Sequence, residues 1–164
     1  MSDSAPAAAP GTISYALSAQ YVKDLSFENP RSPQVFAMAG QQPQVAVAVG
    51  VNVNKLGDTA YEVILTLNAD AKHNEEPVFM IELAYAGVIV ASGQAPQEHL
   101  QPLLMIEIPR QLFPFARAIL SNTTRDGGFP PLLLQPVDFE ALYRQQQQQG
   151  QAPSSPVPTK AGAA

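Results

Sequence analysis

Residues 45–67 read VAVAVGVNVNKLGDTAYEVILTL, and the alternation in this stretch decides the fold. Val45, Val47, Val49, Val51 and Val53 fall on one side of an extended chain, with Ala46, Ala48, Gly50, Asn52 and Asn54 on the other. A period of two is the signature of a strand with one buried face, and β-branched residues favour that geometry. After a turn through Asn54–Asp58 the same period resumes: Tyr61, Val63, Leu65 and Leu67 alternate with Glu62, Thr66, Asn68 and Asp70. Two such runs joined by a short polar turn predict a β-hairpin.

The alternation extends in both directions. Upstream, residues 13–28 put Ile13, Tyr15, Leu17, Ala19, Tyr21, Leu25 and Phe27 on odd positions, against Ser14, Ser18, Gln20, Asp24, Ser26 and Glu28 on even ones. Downstream, past the polar turn Lys72–Glu75, Val78–Ala91 sets Phe79, Ile81, Leu83 and Tyr85 on one face and Met80 and Glu82 on the other. Short connections predict hairpins between strands two and three and between three and four. The Asn29–Gln44 segment, carrying Pro30, Pro33 and Pro43, is too long for a tight turn and is expected to cross over an edge or a face of the sheet.

The period then changes. Leu112, Phe113, Ala116, Ile119 and Leu120 recur at three- and four-residue intervals, predicting an amphipathic helix that Pro114 starts or kinks and that Gly127-Gly128 ends. An apolar, proline-bounded loop, Phe129–Val137, leads to Asp138, an N-cap candidate for a second helix with Phe139, Leu142 and Tyr143 turned inward. Strands first and helices afterwards predict an α+β fold, a four-stranded antiparallel sheet with helices on one face. Residues 12–149 are the expected domain. The Ala/Pro/Ser-rich stretch 1–11 and the Gln-rich, neutral stretch 150–164 are expected to be disordered tails, because neither has the aliphatic residues to offset the entropy of ordering.

Composition excludes several classes of function. Nine Lys and Arg against fourteen Asp and Glu give a net charge of -5, and the basic residues are scattered singly, so nothing resembles a phosphate-binding stripe and no nucleic-acid partner is expected. With no cysteine there is neither a disulfide framework nor a thiolate metal site, which fits a reducing compartment. No apolar run approaches the roughly 20 residues that span a bilayer, and residues 1–10 do not read as a secretory signal. A soluble cytoplasmic protein without membrane insertion is expected. Charged residues are only 14% of the chain and apolar ones 46%, so the surface must expose neutral or apolar area, which points to association.

Catalytic chemistry is hard to find. His73 lies in a polar turn and His99 follows Glu98 near a helix start, so neither has a spaced partner for a metal or a triad. No phosphate-cradling loop or dinucleotide fingerprint is present, and Glu75-Glu76 would point opposite ways on a strand entry. No enzyme activity, metal or cofactor is expected. Two surfaces stand out instead. Asp24 and Glu28 lie on the polar side of strand one, and Met80 and Glu82 on the corresponding side of strand four; together they read either as an ordinary solvated sheet face or as a dock for a basic partner. The stretch from Gln111 to Leu134 has more Phe and aliphatic residues than one helix stripe must bury, which reads either as core packing or as a shallow apolar groove between the proline-bounded loop and the second helix.

Four blocks, YVKDLSFENP at 21–30, PQVF at 33–36, LFPFAR at 112–117 and GFPPLLLQPVDFEALYR at 128–144, closely resemble the SecB family of protein-export chaperones, in order over 12–149. The resemblance implies a cytoplasmic homotetramer, a dimer of dimers, that binds unfolded precursor proteins and delivers them to the motor ATPase SecA without hydrolysing anything itself. It implies SecA docking at Asp24, Glu28, Met80 and Glu82. It also implies a client-binding groove between the crossover loop and the second helix, lined by Phe36, Phe113, Phe115, Phe129, Leu133 and Phe139. Two departures are visible. The chain has no Trp, where some relatives carry one ahead of the second strand and this chain has Gly40-Gln41-Gln42. The tail after Arg144 is neutral, so SecA affinity is expected to depend mainly on the sheet face. A general holdase or oligomeric scaffold outside export, and a small-ligand enzyme, are the competing classes.

Overall fold

A computed structural model describes residues 13–38, 40–92 and 96–149, together with the backbone of 157–160. The four alternating runs form strands β1 (Ser14–Glu28), β2 (Gln44–Lys55), β3 (Ala60–His73) and β4 (Glu76–Ser92). A short β5 (Val157–Lys160) completes an antiparallel sheet of order β1-β4-β3-β2-β5. The expected tails 1–11 and 150–164 lie outside the described residues, apart from β5, whose backbone pairs with Ala46–Val49 of β2.

Both expected hairpins form, with Lys55 opposite Tyr61 and His73 opposite Glu76. The turn between β3 and β4 places Asn74 and Glu75 at positive φ. Because β1 pairs with β4 and β2 lies on the far side of β3, the segment after Glu28 must carry the chain across the width of two strands. It does so through a 3-10 turn, Gln34–Ala37, anchored by buried Val35.

The helical half begins earlier than the spacing predicts. Gln97–Pro102 (α1) runs through a π-helical stretch, Leu103–Glu107, into α2 (Ile108–Asp126). Pro114 neither starts nor ends α2; it sits inside the helix on an exposed flank. α2 lies across β3 and β4. Ile108, Leu112, Ala116 and Leu120, each fully buried, meet Val63, Leu65, Leu67, Ile81, Leu83 and Ile89 from the sheet in one core. Completely burying the Ile, Leu and Val side chains of this core stabilises the fold by about 1.5–3 kcal/mol each before entropy is counted.

Asp138 caps α3 (Phe139–Gln148) as its position suggests: the Ala141 N–H donates to Oδ1 at 3.0 Å. The loop before it is pinned by Thr124, fully buried near the end of α2. Its hydroxyl donates to the Leu120 carbonyl at 3.0 Å and accepts from the Leu132 N–H at 2.9 Å. Gly127 and Gly128 do more than stop the helix. Gly128 has φ +91, and a side chain at either position would run into an aromatic ring, Phe27 at Gly127 and Phe36 at Gly128.

Candidate functional site

The antiparallel register of β1 on β4 builds the first surface. Glu28 pairs with Met80, Ser26 with Glu82 and Asp24 with Ala84. Cross-strand partners share a face, so Asp24, Glu28, Met80 and Glu82 stand together on one side of the sheet, within about 13 Å along the strand. All three carboxylates are exposed and Met80 is half-buried. Phe79, Ile81 and Leu83 point to the opposite, helix-covered side. One acid was missed: Asp70 of β3 pairs with Met80 and is exposed on the same face. Its place on the polar side of the third run was the available signal.

Strict parity fails in the middle of β1. Register shifts between Leu17 and Ala19 and between Val22 and Asp24 are bulges at Ser18 and Lys23, and each reverses the facing. Between them Ala19 and Tyr21, expected inward, pair with Val88 and Ala86 on the acidic face, while Gln20 and Val22 turn to the helix side. The second bulge restores the original parity, so Asp24 and Glu28 face as predicted.

The reversed Tyr21 belongs to a polar cluster around Glu62 of β3. The Glu62 carboxylate accepts from Lys23 Nζ at 2.7 and 2.9 Å, from Asn54 Nδ2 at 3.0 Å and from the Tyr21 hydroxyl. It is the one buried carboxylate among the described residues, with its side chain 7% exposed. The Lys23 ammonium, then the Tyr21 hydroxyl and Asn54, hold the carboxyl well below its ordinary value, at about 2, against a smaller opposing effect of burial. The same contact raises the Tyr21 hydroxyl. A depressed folded-state value means stability that is present above about pH 4.5 and lost as pH falls towards about 2. Lys23 is nearly half exposed, so the effect is set at about 2 kcal/mol. Urea denaturation at pH 6 and pH 3 should therefore show a smaller acid loss in Glu62→Gln than in the parent; equal losses would remove Glu62 from the account.

The apolar residues expected to line one groove separate into four places. Phe36 of the crossover and Phe129 of the proline-bounded loop meet with their rings tilted, centroids 5.5 Å apart. Phe129 in turn meets Phe79 at 5.0 Å and Phe27 at 6.5 Å, and Phe27 and Phe79 were not among the expected lining residues. This aromatic patch lies at the glycine end of α2, where Gly127 and Gly128 leave room for the rings. Leu133, 56% exposed, lies with Pro136 along an open trough of about 460 Å³ whose other wall is Phe113, Pro114, Arg117, Ala118 and Ser121 of α2. The wall opposite the loop is thus the long helix α2, where the sequence pointed to the second helix. Phe113 reaches the trough but is mostly buried, packed edge-on against Phe139 at 5.9 Å. Phe139 is 1% exposed and is a core residue, because α3 docks through it. Phe115, two positions from Phe113 and so on another flank of α2, is half exposed and stacks on Tyr85 at 6.4 Å.

The sequence model described as preprotein translocase subunit SecB matches residues 9–150. The chain belongs to the SecB family. Similar curated proteins carry the name protein-export protein SecB. That of Bradyrhizobium sp. strain BTAi1 is 55% identical over 127 residues, covering 77% of this chain and 78% of the relative. That of Mesorhizobium japonicum is 51% identical over 136 residues, covering 83% and 81%. Among solved structures, a Mycobacterium tuberculosis SecB-like chaperone in complex with a peptide from an antitoxin superposes with a TM-score of 0.63 at 14% identity, over 75% of this chain and 90% of that one. The expected α+β SecB-like architecture, a four-stranded antiparallel sheet backed by helices, is borne out. Among the described residues no three His, Asp or Glu side chains gather as metal ligands, and no helix is long and apolar enough to cross a membrane.

Proposed function

We propose that this SecB-family chain is a cytoplasmic chaperone of protein export, binding unfolded secretory precursors and delivering them to SecA without catalysis of its own. The observation that carries the reading is the two-sidedness of the β1–β4 pair. Its carboxylates, Asp24, Glu28 and Glu82, turn to solvent on one face, and its aromatic residues, Phe27 and Phe79, turn to the helix-covered side, where they support Phe129 of the apolar patch. Two partners of different chemistry can then be held at once. A folded, basic surface of SecA suits the flat acidic face, where complementary charge mainly raises the association rate. An unfolded chain suits the Phe36–Phe129 patch and the Leu133 trough, which offer apolar contact and few polar groups to read sequence.

The magnitudes agree with a transient hold. Each apolar client side chain buried contributes about 1.5–3 kcal/mol, and micromolar binding needs roughly 8 kcal/mol after ordering and association costs. Several contacts per client are therefore required. A homotetramer, a dimer of dimers, supplies them by presenting several patches to one long chain. Copies would meet through apolar area exposed on the helix side, where Val22, Leu25 and Phe115 are each 42–52% exposed. A folded protein has no such segment to offer, so selection follows folding rate.

Aggregation of a slow-folding precursor diluted from denaturant tests the reading. One tetramer per precursor should suppress light scattering without nucleotide, and native mass spectrometry should give four chains. Equal affinity for the folded and unfolded forms of that precursor would overturn it.

A further inference from the structure

We infer that Glu62 acts as a positioning residue for the acidic face, drawing Lys23 away from Asp24 so that this carboxylate stands uncompensated towards a basic partner. The inference rests on the docking reading above and deepens it. Outward-facing residues on β1, β4 and β3 form rows across the sheet: Ala19–Val88–Glu62, then Tyr21–Ala86–Ile64, Asp24–Ala84–Thr66, Ser26–Glu82–Asn68 and Glu28–Met80–Asp70. Acid occupies each of the last three rows. Lys23, the bulged residue between the second and third rows, is the nearest cation in sequence to that acid and precedes Asp24 directly.

Its ammonium does not turn to the acid. It lies 2.7 and 2.9 Å from the two oxygens of Glu62, two rows beyond Asp24, which is about 13 Å along β3. Tyr21 and Asn54 donate to the same carboxylate and fix it there. With Glu62 neutral, the closest opposite charge for a flexible lysine is Asp24. A cation among the acids would both cancel a local charge and repel the partner's Lys and Arg, whereas the same cation held on the Glu62 carboxylate is neutralised by its own ion pair.

Titration calorimetry of intact variants with purified SecA tests this at about 50 mM and about 500 mM salt. Glu62→Gln should weaken binding about 5-fold at low salt and under about 2-fold at high salt. Lys23→Met should stay within about 2-fold of the parent, because its charge is already withdrawn. Lys23→Met/Glu62→Gln should regain the parent affinity, which a merely structural role for Glu62 would not allow. The inference is overturned by unchanged low-salt affinity in Glu62→Gln, by a double variant as weak as the single, or by Lys23→Met binding several-fold tighter than the parent. Glu82→Lys separates the two levels. If it leaves affinity unchanged, the docking reading fails and this inference with it; if it weakens binding while Glu62→Gln does not, only the inference fails.

Discussion

Replacing Phe139 by Ala should lower the unfolding free energy of the subunit by about 3–5 kcal/mol, read as a shift of the urea midpoint. Phe139 is 1% exposed, is the first residue of α3 and packs edge-on against Phe113 at 5.9 Å. Its removal leaves a cavity that the capped helix start cannot fill, and α3 loses its only fully buried side chain. Phe36→Ala should behave oppositely. Phe36 is 46% exposed and touches Phe129 from the crossover, so its loss should cost about 1 kcal/mol of stability and weaken binding of an unfolded precursor several-fold. A Phe139→Ala variant of full stability that no longer bound precursor would return Phe139 to the groove.

Reversing two charges on the other face should have the largest effect on partner binding. In Asp24→Lys/Glu82→Lys, two attractive contacts with a basic partner become repulsive. At roughly 1–1.5 kcal/mol for each exposed reversal, SecA affinity should fall about 30- to 150-fold at low salt and recover partly as salt is raised. Neither side chain is buried or ion-paired among the described residues, so the melting temperature should hold within a few degrees and precursor binding within about 2-fold. Unchanged SecA affinity at low salt would refute the dock; lost precursor binding would show that the two faces are not independent.

The residues that carry this second experiment were legible early. Alternation over 13–28 and 78–91 assigns Asp24, Glu28, Met80 and Glu82 to the polar sides of two strands, and pairing brings those sides together. The assignment of Asp24 nevertheless survives through cancellation. Bulges at Ser18 and Lys23 each reverse the facing, and only their sum returns Asp24 to where unbroken alternation puts it. Tyr21, between the bulges, lands on the opposite face from the one expected. No local residue announces either bulge, because the extra residue is stabilised by what surrounds the strand.

The groove shows the complementary lesson. Phe113 and Phe115 are two apart on a helix, so they cannot share a flank, and that much follows from the 3.6-residue period. Phe129 meeting Phe27 and Phe79 does not follow, because the three rings come from a loop and two strands far apart in sequence. Gly127 and Gly128 read as helix punctuation, while the close approach of Phe27 and Phe36 to them emerges only on folding. Glu62 likewise reads as one more polar residue on an alternating strand.

Four strands, the helical layer, the cap at Asp138 and the facing of Met80 and Glu82 were thus written in the sequence alone, because each follows from a short-range period or a local hydrogen bond. Tertiary structure alone decided which aromatic residues are core and which are surface, and where the Lys23 charge goes. Those outcomes depend on contacts between segments far apart in the chain, and the energy of burying or pairing a side chain is fixed by its neighbours in space.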